Sequence, residues 1–383
     1  MNFDECIDRR CTESLKWKLY PADVLPLWVA DTDFLSPEAV RNELKKRIDH
    51  GIFGYGLPPE GLDQVVIDRV NRLYDWDVGQ MDISYVPGIV TGFNIMIRSL
   101  CKKGDAVIFQ SPAYPPFISS PETVGLKAVH NPMFLGEDGI YQVDFELFEQ
   151  QIIENDVKVF ILCNPQNPTG RVFTLKELEK FGEICLRQGV TICSDEIHCD
   201  ILFDDHKHIP IASLDPEISK ITATFIAPSK TYNIAGLHAS VGIIQDEALR
   251  KTYCEFRQYL VSNPCLLSLV AAKAAYEHGD EWLKEQNAYL QANRDYLDQA
   301  IHEKLPGIRW SKPEATFLAW LDCRELGIEG NLQEFFIENA KVCLNDGPTF
   351  GKAGEGFVRL NFGTTRARLE QAIDQMAEAI AKI

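Results

Sequence analysis

Four side chains in this sequence sit where their chemistry would be costly unless it were used. Lys230, in "IAPSKTYNIAGL", follows the apolar run "ITATFI" (221–226) and precedes a glycine turn. A lysine just past a buried strand lies where open α/β sheets place ligands, outside the carboxyl ends of the strands. Two readings compete: an amine that snorkels to water from a loop, or a desolvated amine that forms a Schiff base. Asp195, in "SDEIH", ends another apolar run, and is either a site carboxylate or an acidic cap or surface residue. Asn167, in "NPQNPTG", is either a hydrogen-bond donor to a ligand or a member of an Asn-Pro turn. Arg359, in "FVRLNF", stands inside an apolar strand, where an unpaired guanidinium is expensive, so it should meet a carboxylate. That carboxylate is either a substrate's or a structural partner's.

The elements that must hold these residues are legible in the same chain. "DAVIFQ" (105–110), "VKVFILCN" (157–164), "VTICSD" (190–195), "ITATFI" and "ASVGII" (239–244) read as strands. "TLKELEKFGEICLRQG" (174–189) reads as a helix capped by Thr174 and closed by Gly189. Such alternation predicts an α/β protein with a mostly parallel, helix-covered sheet. "PGIVTGFN" (87–94) opens a further helix after the strand "ISYV". After Asp246 the pattern turns helical, with one long helix over 279–305. Strands at 315–322 and 357–362 and helices at 332–340 and 366–383 form a small α+β unit, which the N-terminal 45 or so residues join. The expected domains are therefore 46–280, and 1–45 together with 281–383.

Composition excludes several classes. A net charge of −18 over 383 residues argues against nucleic acid and anionic membrane surfaces as partners. No apolar run approaches the ~18 residues that span a bilayer, and "MNFDECIDRR" lacks the pattern of a signal peptide. Eleven scattered cysteines without a CxxC pair point to free thiols in a reducing, cytoplasmic setting. "CSDEIHC" (Cys193, His198, Cys199) does not have standard zinc spacing, so no metal is expected.

Taken together, NPxNPTG, SDEIH, APSK and PGIVTGFN resemble the fold-type I enzymes that use pyridoxal 5′-phosphate, the aspartate aminotransferase superfamily. "WVADTDF", "SDEIH", "PSKTYNIAGL" and "FLAWLD" look more specifically like its C–S lyase branch, cystathionine β-lyases of the MalY/PatB type. The fold implied is a PLP-transferase large domain with a seven-stranded-type, mostly parallel sheet, plus the small α+β domain. By this resemblance Lys230 is the Schiff-base lysine and the base that moves the Cα proton. Asp195 faces the pyridine nitrogen, Asn167 and His198 meet the 3′-oxygen, and Tyr114, in "SPAYPPF", stacks on the ring. Gly88, Ile89, Val90 and Ser229 supply phosphate donors, and Tyr55, in "FGYG", reaches the phosphate from a neighbouring subunit of a homodimer. Arg359 grips the substrate α-carboxylate, and Ala30 lines the same pocket through its backbone. His198 stands where typical aminotransferases carry tyrosine. His238 stands where they place a phosphate-binding arginine, and Ala227 where a serine is frequent. The reaction implied is β-elimination from an L-cysteine thioether to thiol, pyruvate and ammonia; the alternative is amino transfer. A binding or regulatory protein on the same fold would sooner have lost Lys230 or Asp195.

Overall fold

The computed structural model describes residues 1–137 and 139–383. Its centre is one eight-stranded sheet: β1 (Ile83–Val86), β2 (Ala106–Ser111), β3 (Lys127–Leu135), β4 (Tyr141–Val143), β5 (Val157–Cys163), β6 (Thr191–Asp195), β7 (Thr222–Ile226) and β8 (Ser240–Ile243). The spatial order is β1-β8-β7-β6-β5-β2-β3-β4. Ladders β2–β3, β2–β5, β5–β6 and β6–β7 are parallel, while β1–β8, β7–β8 and β3–β4 are antiparallel. Only β8 and β4 therefore run against the other six. The central strands β2 and β7 are buried at every position, which is why they read as unbroken apolar runs rather than alternating ones.

The expected seven strands gain an eighth, the short edge strand β4. The sequence also left β3 unassigned. Its run "KAVHNPMFL" mixes exposed and buried positions and carries Pro132, so it lacks the signature of its neighbours.

Helices flank the sheet and are closed by their own sequence signals. Thr174 and Glu177 form a reciprocal capping box at the start of Leu175–Gln188, and Gly189 ends that helix at φ 67°. Helix Ile89–Leu100 packs so close to the sheet that a Cβ on Gly92 would fall 2.6 Å from the Phe225 ring. A methyl group there would force the helix outward.

A second, antiparallel sheet joins Arg309–Trp310, Leu318–Asp322, Phe357–Asn361 and Asn345–Asp346, in that order. Leu25–Pro26 pairs in parallel with Val342–Cys343, tying the N-terminal segment to this part of the chain. The long C-terminal-half helix runs over Asp280–Lys304, as read. The helix predicted at 332–340 begins as α over Leu332–Phe335 and widens to a π turn over Phe336–Ala340. All eleven cysteines are free. Among the described residues, no helix is long and apolar enough to cross a membrane, and no cluster of His, Cys, Asp and Glu suits a metal ion.

Candidate active site

Strand register brings the chemistry together. Cys163 lies opposite Asp195 and Asp195 opposite Phe225, so three parallel strands end level with one another. The turns that follow carry Asn167, Asp195 itself and Lys230. Val86, at the end of β1, pairs with Ser240, at the start of the reversed β8, which delivers Gly88 and His238 to the same edge. A cavity of about 520 Å³ opens there. Eleven of the twelve predicted site residues line it: Gly88, Ile89, Val90, Tyr114, Asn167, Asp195, His198, Ser229, Lys230, Arg359 and Ala30. Tyr55 is the exception. It is fully exposed and borders a separate cavity of about 580 Å³ with Ser262–Leu267.

Lys230 sits on the one-turn helix Pro228–Thr231 and donates to the Ala30 carbonyl at 2.5 Å. Burial pulls its amine down to about 8; Asp31 and Asp195 oppose that shift, and Arg359 adds to it. Asp195 is 5% exposed, and its Oδ1 accepts the Ile197 N–H at 3.1 Å. Burial raises its carboxyl to about 7, against the pull of that hydrogen bond and of Lys230. Such a carboxylate lacks a cationic partner of its own. His198 is buried, and its Nδ1 has no hydrogen-bond partner. Burial, then Lys230 and Arg359, hold that imidazole well below its ordinary value, so it is neutral.

Arg359 enters from the second sheet. It pairs in register with Trp320 and Asn345, while its strand neighbours Val358 and Leu360 face the core. Its guanidinium donates to Asn167 Oδ1 at 2.9 Å, Asn345 Oδ1 at 2.8 Å and the Trp28 carbonyl at 3.0 Å, and its Nε is unpartnered. All three acceptors are neutral. Burial consequently lowers its affinity for its proton to about 10, the direction expected of a cation without a counter-charge.

The wall opposite Lys230 is the stretch Trp28–Phe34, and it is fixed from behind. Asn361 donates to the Val29 and Asp31 carbonyls. Asn233 donates to the Thr32 and Phe34 carbonyls. Asp33 receives Arg9 at 2.8 Å, Lys16 at 3.2 Å, the Trp17 indole at 2.9 Å and the Thr364 hydroxyl at 2.8 Å. Burial alone would raise that carboxyl, but Lys16, Trp17, Thr364 and Arg9 outweigh it and bring it to about 2.

The residues present fit pyridoxal 5′-phosphate. Gly88 caps helix Ile89–Leu100 at φ 97°, and a Cβ there would meet no protein atom within 4 Å, so the cradle at this helix start is open. Free N–H groups at a helix start suit a phosphate dianion. The orphaned His198 nitrogen, the uncompensated Asp195 carboxylate and the reactive amine of Lys230 match a phenolic oxygen, a pyridine nitrogen and an aldehyde. Among the described residues, the basic side chains lining the cavity are Lys230, Arg359, His198 and His238.

Trp28 and Asn345, which hold Arg359, and Asn361, which holds the facing wall, escaped the sequence reading. The only signal available was a polar residue at a strand position, as Asn361 is in "FVRLNF".

The family model for aminotransferase class I and II matches residues 22–376. The chain is 39% identical to cystathionine β-lyase PatB of Bacillus subtilis, over the full length of both. It is 32% identical to protein MalY of Escherichia coli, over all of this chain and 99% of that one. Among solved structures it is similar to a PLP-bound C–S lyase from Staphylococcus hominis, with a TM-score of 0.95 and 33% identity, covering all of this chain and 99% of that one. Matching over nearly its whole length, the chain belongs to the aminotransferase class I and II family.

Proposed function

We propose that this protein eliminates the β-substituent of L-cysteine thioethers, with Lys230 as the proton-moving base. The protein is a carbon–sulfur lyase dependent on pyridoxal 5′-phosphate, as its likeness to cystathionine β-lyase PatB at 39% identity and to the PLP-bound C–S lyase at 33% identity supports. The observation that carries the residue assignment is the convergence of Lys230, Asp195, Asn167, His198 and Arg359 on one cavity.

The cofactor supplies an electron sink that makes the Cα proton of a bound amino acid removable. Asp195 would hold a negative charge for its pyridine nitrogen, Asn167 and His198 would hydrogen-bond its phenolic oxygen, and Tyr114 would pack on its ring. The cradle of Gly88, Ile89 and Val90, with Ser229, would receive the phosphate through neutral donors in place of a paired arginine. Arg359 exchanges its neutral acceptors for the substrate α-carboxylate, a stronger, charge-assisted contact. The Lys230 amine, close to half-neutral near pH 8, takes the proton from Cα. Thiolate then leaves Cβ, and the aminoacrylate released hydrolyses to pyruvate and ammonia. Without the cofactor, the Ala30 carbonyl accepts from the Lys230 amine at 2.5 Å and holds it in the cavity.

We further infer a homodimer in the cytoplasm, in which Tyr55 serves the phosphate of the neighbouring site. Support comes from the exposed apolar side chains Ile52, Phe53, Tyr55 and Leu57, which follow one another closely in the chain, the last three lining one cavity with Ser262–Leu267. The division into 46–280, and 1–45 with 281–383, belongs to the same reading, its first boundary falling inside helix Glu38–Asp49.

Aminotransferase activity is the competing reading. The deciding assay gives the PLP-loaded protein L-cystathionine with and without 2-oxoglutarate. Pyruvate formation independent of the keto acid is the expected result; turnover that requires the keto acid would overturn the lyase reading.

A further inference from the structure

The guanidinium of Arg359 is held on both of its terminal nitrogens and on one face. Nη2 donates to Asn345 Oδ1 at 2.8 Å and to the Trp28 carbonyl at 3.0 Å, while Nη1 donates to Asn167 Oδ1 at 2.9 Å. The Phe350 ring lies 4.9 Å from the guanidinium carbon. Asn345 reaches it from the short strand Asn345–Asp346, where it stands directly opposite Arg359 in register. The chain beyond that strand is tightly packed: a Cβ on Gly347 would fall 2.2 Å from the Phe357 carbonyl oxygen and 2.3 Å from that of Gly354. Asn345 also lines the cavity that holds Lys230.

A carboxylate is close in the chain but turned away. Asp346 pairs in register with Val358, so its side chain leaves the strand on the opposite face, where it meets Asn331. The position that does touch the guanidinium carries the amide, which has the shape of an aspartate and an acceptor oxygen but no charge. A buried arginine kept only to brace two strands would be less costly with a carboxylate beside it. A carboxylate at that distance would also form a charge-assisted pair, which an incoming substrate carboxylate would have to displace.

We propose that Asn345 is a positioning residue that sets specificity: a neutral acceptor in the place where a carboxylate would close an internal ion pair, it aims Arg359 and leaves its charge for the carboxylate of an incoming amino acid. This rests on the reading that Arg359 receives the substrate α-carboxylate. Asn345 acts through Arg359 and takes no part in moving the Cα proton.

The test uses the full-length, PLP-loaded protein and two probes that differ only in the carboxylate, L-alanine and ethylamine. Their dissociation constants are read from the absorbance of the bound cofactor. Asn345→Asp should weaken L-alanine by on the order of thirtyfold, the usual worth of a hydrogen bond to a charged group, and leave ethylamine unmoved. Asn345→Ala removes one neutral acceptor but keeps the free charge, so it should weaken L-alanine by only about fivefold. A merely structural amide predicts the reverse order, because aspartate keeps its shape and its acceptor and alanine keeps neither. L-alanine bound more weakly by Asn345→Ala than by Asn345→Asp, or equal losses for both probes, would overturn the proposal. If Asn345→Asp fails to fold, Asn345→Ala decides: loss confined to L-alanine is the expected result, and equal loss of both probes or no loss overturns it. Arg359→Met separates the two levels. Unchanged affinity for L-alanine in that variant would overturn the Arg359 reading itself, and with it this one.

Discussion

The rate at which the cofactor-free protein captures pyridoxal 5′-phosphate should level off near pH 8. Schiff-base formation needs the neutral amine. An ordinary lysine at 10.5 leaves about three amines in ten thousand neutral at pH 7, whereas one at about 8 leaves about one in ten. The desolvated wall around Lys230 is thus worth roughly 300-fold in capture rate at neutral pH, the difference between those fractions. The direction of the pH dependence follows. Capture accelerates as pH rises through the depressed value, then flattens, because above it nearly every Lys230 is already neutral. Stopped-flow absorbance across pH 6 to 10, a window chosen to bracket both values, measures this directly, with Lys230→Arg as the control for reaction at surface lysines. Removing the neighbouring charges should move the plateau in opposite directions: Asp31→Asn shifts it to lower pH and Arg359→Met to higher pH, since Asp31 holds the proton on and Arg359 drives it off. A rate that climbs without a plateau up to pH 10 would refute the claim that Lys230 is desolvated.

Three further outcomes follow from the same electrostatics. Asp195 keeps its proton in the fold up to about 7 but loses it near 3.8 when unfolded, so it costs stability as pH rises between those values. The cofactor-free Asp195→Asn protein should therefore be more stable than wild type at pH 8 by on the order of 3 kcal/mol, with the gap closing toward pH 4; denaturant titration at both pH values checks this. Asp33 has the opposite sign: lowered to about 2, it stabilises the fold above about 4, and Asp33→Asn should lose roughly 2 kcal/mol at pH 7, less as pH falls toward 2. A pH-independent loss in thermal melts would contradict the charge account. Arg359→Lys should reduce kcat/KM on a thioether roughly thirtyfold, about 2 kcal/mol for a lost two-pronged carboxylate contact, while leaving the capture of cofactor intact. An unchanged kcat/KM would remove Arg359 from substrate binding.

How much of this was legible in the chain depends on where each signal resides. β2, β5, β6 and β7 announce themselves because both faces are buried, which leaves consecutive apolar residues. Asn167, Asp195 and Lys230 are legible because each stands at or just past the end of such a run, where the chain passes from sheet to turn, and Arg359 because it is a charge inside one. β3 was missed because β4 covers its outer side only over Met133–Leu135, so the strand keeps polar residues and tolerates Pro132. The partners of Arg359 could not be read, since Trp28, Asn167 and Asn345 come from three distant segments and meet only in the tertiary fold. The same holds for Glu196 and His208, which are 12 residues apart in the chain yet meet at 2.7 Å as a buried pair. Helix 332–340 shows the limit in secondary structure: apolar spacing identifies a helix there but not the change from α to π at Phe336.

The central claim is β-elimination at the Lys230 cavity, and simultaneous counting of both products tests it most directly. The PLP-loaded protein is mixed with L-cystathionine, no keto acid is added, and pyruvate and free thiol are quantified together over many turnovers. Equal, sustained amounts of the two, abolished in Lys230→Ala, are the expected result. No pyruvate or thiol, with catalytic amino transfer once 2-oxoglutarate is supplied, would contradict it.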